Sequence, residues 1–250
     1  MEPNPRPPSV LVRTLSFIVE LYALLTTELV PRVLALFLKL RLKPEPGSAA
    51  IFQPRGLHMP RAVVTNNRGQ RLRYVLVLDL DETLVHTSRW GGSRSADCRL
   101  EIFNKHDCRA FYVYKRPYLT KFLYLMSQYY EIVVFTASMR QYADPLIDIL
   151  DSHRVVSRRF FRKSCIERNG SYVKDLNRVA PNLERTVIVD NSPIAYSMNK
   201  ENAVPVKPYY DDPDDRELLT CIPFLIALSK LPDVRMLLRR RTADVGAAER

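Results

Sequence analysis

The sequence predicts an α/β protein built on a central, mostly parallel sheet. Three apolar runs, at residues 74–77, 131–135 and 185–189, alternate with segments of helical character. Strands of parallel sheets covered on both faces are nearly continuously hydrophobic in this way, and helices form their crossovers. Each run ends in polar residues, and the carboxyl ends of such strands form the ligand crevice. The sequence therefore predicts a three-layer fold with a functional site at that edge.

The first 43 residues are predicted to form a separate segment that associates with a membrane. Residues 10–42 are strongly apolar, but charged residues leave no uncharged stretch of the roughly 18 residues that a membrane-spanning helix needs. The charges before Pro31 fall on one side of a helix, which indicates an amphipathic helix in a membrane interface. A helix packed on its own domain is the alternative. A signal peptide is disfavoured, because glutamates interrupt the run and no cleavage site is evident.

The rest of the chain is predicted to be a linker at 44–70, one domain at 71–240 and a tail at 241–250. Within the domain, residues 86–116 follow the first strand and contain two strand-like runs, which predicts a small β flap insertion beside the sheet. Asn169-Gly170 is a strong signal for a hairpin turn. Helices are predicted at 117–130, from the second strand to about 151, and at 212–230.

The composition limits the classes of partner. A net charge of +11 and a pI near 9.6 favour an anionic membrane surface or phosphorylated and acidic protein segments. The alternative is a solvated basic surface. Direct binding to nucleic acid is disfavoured, because the sequence has no zinc-finger spacing, RNP-like string or long basic helix. The four cysteines form no C-x-x-C pair, which predicts reduced thiols.

Two carboxylates follow the first apolar strand, at Asp79 and Asp81, with a hydroxyl at Thr83. Alternate positions of an extended chain face the same way, so both acids reach one point in space. Like charges that close repel each other unless one is protonated or a cation lies between them. This arrangement suits a nucleophile, a proton donor and a metal ligand. The alternative is the ordinary polarity of a turn at a strand end.

The ends of the other two strands supply further polar groups. Thr136 follows the second strand, and Asp190 and Asn191 follow the third. Alone, each would be an ordinary strand-end residue, and Lys174 would be a surface charge. Because parallel strands end at the same edge, these residues are predicted to converge on the first acid pair.

Four motifs carry a resemblance to a known family. D-L-D-E-T-L at 79–84, F-T-A-S at 135–138, Y-V-K-D-L at 172–176 and V-D-N-S-P at 189–193 resemble the motifs of aspartate-based phosphatases of the haloacid dehalogenase superfamily. They are most similar to phosphatases of the carboxy-terminal domain of RNA polymerase II. Within that group, Y-K-R-P and N-A-V-P-V resemble the nuclear-envelope (Dullard-type) branch. The resemblance covers about residues 70–240 and implies a HAD-like Rossmannoid fold.

The resemblance implies catalytic roles for four residues. Asp79 would be the nucleophile that forms an aspartyl-phosphate. Asp81 would protonate the leaving serine or threonine oxygen and then activate water. Thr136 would hydrogen-bond a phosphate oxygen, and Lys174 would offset the charge of the transferring group.

The resemblance also implies a Mg²⁺ site and a substrate-binding surface. Mg²⁺ would be held by Asp79, the carbonyl oxygen of Asp81 and Asn191, with Asp190 close by, because a hard cation prefers oxygen ligands. The residues predicted to contact substrate are Thr83, Tyr142 and Arg162. Tyr142 matches an aromatic position that grips the residue next to the phosphate in relatives, and a packing role on its helix is equally compatible.

The predicted function is a Mg²⁺-dependent serine/threonine protein phosphatase of the endoplasmic reticulum and nuclear envelope. The resemblance implies lipin-type phosphatidate phosphatases as substrates, hence a role in lipid metabolism, and a small membrane-spanning regulatory subunit as partner. A soluble nuclear phosphatase of polymerase tails is the main alternative, with residues 10–42 packed internally. A small-metabolite phosphohydrolase and an inactive phosphoprotein-binding scaffold are less favoured.

Overall fold

The computed structural model describes residues 64–65, 71–72, 74–104 and 107–239. The predicted membrane-associating segment at 1–43, most of the predicted linker and the tail at 241–250 lie outside the described residues. Within the described ranges, no helix combines the length and the apolar character that crossing a bilayer requires.

Short strands, α-helices and 3-10 helices make up the described regular structure. The strands are β1 (Val64–Thr65), β2 (Arg71–Leu72), β3 (Tyr74–Leu78), β4 (Val85–Ser88), β5 (Cys98–Asn104), β6 (Asp107–Lys115), β7 (Tyr130–Phe135), β8 (Val156–Phe160), β9 (Ile166–Arg168), β10 (Ser171–Val173), β11 (Thr186–Asp190) and β12 (Ala203–Pro205). The α-helices with both ends described are α1 (Leu119–Met126), α2 (Arg140–Leu150) and α3 (Glu217–Leu228). Residues 235–239 are also helical.

The central sheet has five parallel strands in the order β12-β11-β3-β7-β8. The three predicted strands are confirmed as its middle, β11, β3 and β7. The sequence missed the two edge strands. β8 reads V-S-R-R-F with no fully buried residue, and β12 has only three residues and ends in proline. An edge strand pairs on one side only and so carries a weaker apolar signal than a central strand.

Alternation along the strands divides the interior into two cores. Leu76 and Leu78 of β3 belong to one core, and Val75 and Val77 belong to the other. Successive side chains of a strand point to opposite faces, so a fully buried strand needs a cover on each side. The buried residues of α1, α2 and α3 lie in the first core. Residues 176–202, which include three 3-10 helices, contribute to the second core.

The flap is a three-stranded antiparallel sheet in the order β4-β6-β5. The two predicted strands are confirmed as β5 and β6, and β4 was missed. β4 reads V-H-T-S and has only its first residue buried, so it lacks the apolar alternation that identifies a strand. It begins four residues after Asp81, which brings the flap directly against the acid pair.

The turns agree with their sequence signals better than the helix ends do. Asn169 and Gly170 have φ values of 50° and 74°, and a two-residue type I′ turn requires positive φ at both positions. The predicted hairpin is thus confirmed as β9 and β10. The predicted helix start at Asp212 is wrong, because α3 begins at Glu217. The side chain of Asp215 instead accepts hydrogen bonds from the Glu217 main-chain N–H and from Arg116.

Arg116 is the largest fully buried side chain of the described chain, with 1% of its surface exposed. Its guanidinium donates to both carboxylate oxygens of Asp215, at 2.8 Å each. It also donates to the main-chain oxygens of Thr83 and Lys207, at 3.0 Å each, and lies over the ring of Tyr209. One side chain therefore joins the end of the flap, the acid motif and the start of α3.

Candidate active site

The central position of β3 determines where the site lies. Asp79 directly follows β3, Thr136 directly follows the neighbouring β7, and Asp190 ends β11 on the other side. These three residues line a cleft of about 610 Å³ at the carboxyl edge of the sheet. Five further predicted residues line the same cleft: Asp81, Tyr142, Arg162, Lys174 and Asn191. The structure thus brings together almost all of the predicted site.

Lys174 is a buried charge, with 1% of its surface exposed. Its ammonium group donates to Asp79 Oδ1 and, at 2.7 Å, to Asp190 Oδ2. Burial alone would lower the pKa of Lys174, but the two carboxylates raise it above its ordinary value, so the side chain stays protonated. A fixed positive charge therefore lies beside Asp79, which is what an anionic reacting group requires.

Asp81 is held by hydroxyl groups. Tyr142 donates to its Oδ1 atom at 2.6 Å, and Ser138 donates to its Oδ2 atom at 2.7 Å. Thr136 Oγ1 is 3.4 Å from the same Oδ2 atom. Burial raises the pKa of Asp81, although the hydrogen bonds from Tyr142 and Ser138 oppose that shift. A carboxyl group that protonates more readily than usual is suited to act as a proton donor.

The carboxyl groups of Asp79, Asp81 and Asp190 line the cleft with one buried lysine, which leaves the strand ends with an excess of acidic groups. Burial, and then the proximity of Asp79, raise the pKa of Asp190 to about 6. No cluster of three or more Asp, Glu, His or Cys side chains in the described ranges forms a ready-made metal site.

The oxygens present at the cleft fit a Mg²⁺ ion. A divalent cation relieves repulsion between Asp79 and Asp190, and Asn191 adds a neutral oxygen ligand in the same cleft. Thr83 Oγ1 donates to Asn191 Oδ1 at 3.1 Å and so orients that amide. The residues that would hold the ion are Asp79, Asn191 and the Asp81 carbonyl oxygen, with Asp190 beside them.

Thr83 requires a correction. It was predicted to contact substrate, but it is fully buried and does not line the cleft. Its hydroxyl is committed to Asn191, and its carbonyl oxygen accepts from Arg116. The position suits orientation of a metal ligand and not contact with a substrate.

Replacing Thr83 by valine is expected to weaken Mg²⁺ binding about 10-fold, because the amide of Asn191 loses the donor that orients it. The measurement is the rise in unfolding temperature as MgCl₂ is titrated. Thr186→Val is the matched control, because that buried hydroxyl donates to the carbonyl of Asn182 within its own turn. Equal Mg²⁺ affinities in both variants would contradict the role of Thr83.

Arg162 lines the cleft beside an aromatic ring. Its Nε atom donates to the carbonyl oxygen of Ala137 at 2.6 Å, and its guanidinium lies 4.9 Å from the centre of the Tyr172 ring. Its side chain is therefore held at the wall of the cleft, where contact with a substrate remains a prediction.

Sequence reasoning missed two polar residues of the site. Ser138 contacts Asp81 directly, and Thr87 Oγ1 lies 2.8 Å from the hydroxyl of Tyr142. Ser138 has a signal in the sequence, because it lies two residues beyond Thr136 at the same strand end. Thr87 has none, because it belongs to β4, the flap strand that the sequence did not reveal.

The chain is similar to known phosphatases. The family model of NLI interacting factor-like phosphatases matches residues 74–235. A probable C-terminal domain small phosphatase of Dictyostelium discoideum is 48% identical over 163 residues, which cover 65% of this chain and 53% of the relative. CTD nuclear envelope phosphatase 1 of Xenopus tropicalis is 45% identical over 192 residues, which cover 73% of this chain and 78% of the relative.

A third relative is a phosphatase whose name includes RNA polymerase II. The human carboxy-terminal domain RNA polymerase II polypeptide A small phosphatase 2 is 46% identical over 162 residues, which cover 65% of this chain and 59% of the relative. The chain therefore spans between half and four fifths of the length of these relatives. The resemblance drawn from the four motifs is confirmed.

Proposed function

The chain belongs to the family of NLI interacting factor-like phosphatases, and from that premise we propose that it hydrolyses phosphoserine and phosphothreonine in proteins. The observation that carries this proposal is the environment of Asp79. A buried lysine contacts one of its oxygens, and a second carboxyl, held by hydroxyl groups, lies two residues further along the chain. A nucleophile, a positive charge and a proton donor thus surround one point of the cleft.

In the first half of the reaction, a carboxylate oxygen of Asp79 attacks phosphorus. The P–O bond to the serine or threonine breaks, its electron pair stays on the leaving oxygen, and Asp81 gives that oxygen a proton. Lys174 offsets the negative charge of the transferring group, and Thr136 donates a hydrogen bond to it. When bound, Mg²⁺ neutralises charge on the phosphoryl oxygens.

In the second half, Asp81 acts as a base. It takes a proton from a water molecule, whose oxygen attacks the phosphorus of the aspartyl-phosphate on Asp79. The acyl phosphate P–O bond breaks and phosphate leaves, which restores the Asp79 carboxylate and protonated Asp81. The same carboxyl therefore serves both steps, in opposite protonation states.

The insertions around the cleft favour a protein substrate. Between Asp79 and Thr136 the described insertion is the three-stranded flap, and the hairpin β9–β10 precedes Lys174. Neither is a helical cap, and small metabolites usually need a closing element that excludes water. A phosphorylated side chain on an extended segment fits a cleft with walls of this kind.

For the cellular role, we propose lipin-type phosphatidate phosphatases as substrates at the endoplasmic reticulum and nuclear envelope, and so a role in lipid metabolism. Two observations support the proposed location, and the substrate is proposed on family likeness alone. The match to a CTD nuclear envelope phosphatase extends over 192 residues, whereas the matches to the two small phosphatases cover 163 and 162. The amphipathic pattern of residues 10–42 and the net charge of +11 suit an anionic membrane surface. A small membrane-spanning regulatory subunit is the proposed partner, on family likeness alone.

The second candidate is a soluble nuclear phosphatase of the RNA polymerase II carboxy-terminal domain. The 46% identity to a human phosphatase with that name favours it. In that case residues 10–42 would pack internally, and the chain would not sediment with membranes. An inactive scaffold is disfavoured, because every group that the reaction needs lies in the cleft.

Substrate trapping separates the two candidates. Asp81→Asn lacks the acid that releases the leaving group, so it is expected to hold phosphoproteins that the native enzyme turns over. The measurement is identification of phosphoproteins captured from membranes, together with the fractionation of the tagged chain. Asp175→Asn is the matched control, because the Asp175 side chain accepts from the Asn177 main-chain N–H outside the cleft.

Recovery of a lipin-type phosphatidate phosphatase from the membrane fraction supports the first candidate. Recovery of the polymerase tail, with the tagged chain in the soluble nuclear fraction, supports the second. Higher kcat/KM on a sugar phosphate than on phosphopeptides would contradict both.

A further inference from the structure

The hydroxyl of Tyr142 lies between the catalytic edge of the sheet and the flap. It donates to Asp81 Oδ1 at 2.6 Å, and Thr87 Oγ1 of β4 lies 2.8 Å on its other side. A tyrosine hydroxyl has a single hydrogen, and here the carboxylate takes it. Thr87 must therefore be the donor in the second contact, which gives a directed chain from Thr87 through Tyr142 to Asp81.

The ring of Tyr142 is also held in place, by a contact with the flap. It belongs to α2, whose first turn packs beside the cleft, and it makes an edge-to-face contact with Phe111 of β6 at a centroid distance of 5.4 Å. Two flap strands therefore contact the same side chain, β4 at its oxygen and β6 at its ring. The position of the tyrosine depends on the flap.

We propose that Tyr142 and Thr87 are positioning residues that hold the Asp81 carboxyl in the orientation needed to protonate the leaving oxygen. Through these residues the flap determines how well the enzyme cleaves esters with poor leaving groups. This inference rests on the proposed phosphatase activity and deepens it.

The geometry supports orientation more directly than substrate contact. Both oxygens of Asp81 are held, Oδ1 by Tyr142 and Oδ2 by Ser138. Without the tyrosine donor, the carboxyl keeps hydroxyl partners on Oδ2 only, Ser138 and Thr136, and gains freedom to turn about its last bond. Proton transfer requires the acid within hydrogen-bond reach of the oxygen that leaves, so a small rotation removes much of the catalytic effect.

The chemistry of the first step provides a specific test. When the P–O bond breaks, the electron pair on a serine alkoxide needs the proton from Asp81, whereas p-nitrophenolate is stable without it. The ratio kcat/KM reports events up to formation of the aspartyl-phosphate, so it isolates this step. If Asp81 is poorly positioned, the loss of kcat/KM therefore increases with the basicity of the leaving group.

The experiment compares full-length protein and its Tyr142→Phe variant on aryl phosphates from p-nitrophenyl to phenyl phosphate and on a phosphoserine peptide. Tyr142→Phe keeps the ring and its contact with Phe111. It is expected to lower kcat/KM on phenyl phosphate at least about 10-fold and on p-nitrophenyl phosphate about twofold or less, with the peptide lowered at least as much as phenyl phosphate. Thr87→Val should show the same trend with a smaller loss, which provides a second variant should the first be unstable.

Tyr172→Phe is the matched control. Tyr172 lines the same cleft, and its ring lies under the guanidinium of Arg162. The hydroxyl groups that donate to Asp81 belong to other residues, Tyr142 and Ser138. This variant is expected to change all aryl phosphates by one common factor.

A common factor for Tyr142→Phe across the aryl phosphates would overturn the proposal, because loss of a substrate contact or of general packing lowers all aryl esters equally. Native protein without activity on any phosphopeptide would instead overturn the proposed function itself. The two failures are therefore distinguishable.

Discussion

Replacing Asp79 by asparagine is expected to lower the turnover of p-nitrophenyl phosphate by about 10⁴-fold or more, because a carboxamide does not attack phosphorus. The fold should be retained. Asparagine has nearly the same shape, and Lys174 keeps its contact with Asp190. One fewer carboxylate at the strand ends also relieves like-charge repulsion. Steady-state kinetics with Mg²⁺, and thermal unfolding of both proteins, measure the two expectations.

The choice of ester makes this test specific for the nucleophile. p-Nitrophenolate leaves with little help from an acid, so a loss of turnover reports the attack and not the proton transfer. Rapid acid quench with labelled phosphopeptide should trap phosphate covalently on the native enzyme and none on Asp79→Asn. Turnover retained by Asp79→Asn, with Asp175→Asn equally active, would exclude the aspartyl-phosphate mechanism.

The middle strands of the sheet and the residues at their ends can be predicted from the sequence, because both depend on local pattern. The middle strands β11, β3 and β7 are buried on both faces, so their apolar runs are continuous, and each ends in a polar residue. Parallel pairing then places those ends at one edge, whatever the rest of the chain does. That is why Asp79, Thr136 and Asp190 could be grouped before the structure was known.

What the sequence does not reveal are contacts between distant segments. The hydroxyls that hold Asp81 come from residues 57 and 61 positions away, Ser138 and Tyr142. The sequence places Ser138 at the same strand end as Thr136 and Tyr142 in the following helix, but it does not show that their hydroxyls donate to Asp81. Thr83 illustrates the same limit: its place in the acid motif suggested substrate contact, but strand and turn geometry direct its hydroxyl inward to Asn191.

Arg116 shows that a recognisable motif does not reveal its physical role. It lies in the Y-K-R-P string used for the resemblance, yet nothing in that string indicates a buried guanidinium. Its partners Thr83, Lys207 and Asp215 are spread over more than a hundred residues. Only the folded chain brings four hydrogen-bond acceptors around one arginine.

Replacing Arg116 by methionine is expected to lower the free energy of unfolding by about 3–5 kcal/mol, because it leaves a partly buried carboxylate and two carbonyl oxygens without their donor. Chemical denaturation measures the loss. Arg99→Met is the matched control. Arg99 contacts Glu101 at 3.3 Å with more than half of its side chain exposed, and such pairs contribute about 1 kcal/mol or less. Equal losses for both variants would contradict a structural role for Arg116.

The stability loss of Arg116→Met should depend on pH because of Asp215. Burial alone would raise the pKa of Asp215, but the hydrogen bonds from Arg116 bring it below its ordinary value of 3.8. A carboxyl whose pKa is lowered on folding stabilises the folded protein above its unfolded pKa, and that contribution disappears as the pH falls through the folded pKa. The stability difference between native protein and Arg116→Met should therefore be full near neutral pH and shrink below about pH 3.8.

Adding Asp215→Asn to Arg116→Met distinguishes a broken ion pair from lost packing. If the loss comes mainly from the stranded carboxylate, the neutral amide should restore part of the stability, because the cost of an uncompensated charge is removed. The two carbonyl oxygens stay unsatisfied in both variants, so the recovery is partial.

The double variant also tests a link between Arg116 and the metal site. Arg116 donates to the carbonyl of Thr83, and Thr83 orients Asn191. Mg²⁺ affinity should therefore stay weakened in the double variant even where stability returns. That result would show that a buried arginine outside the cleft affects the metal site through Thr83. A double variant with native Mg²⁺ affinity would instead show that Thr83 keeps its position without Arg116.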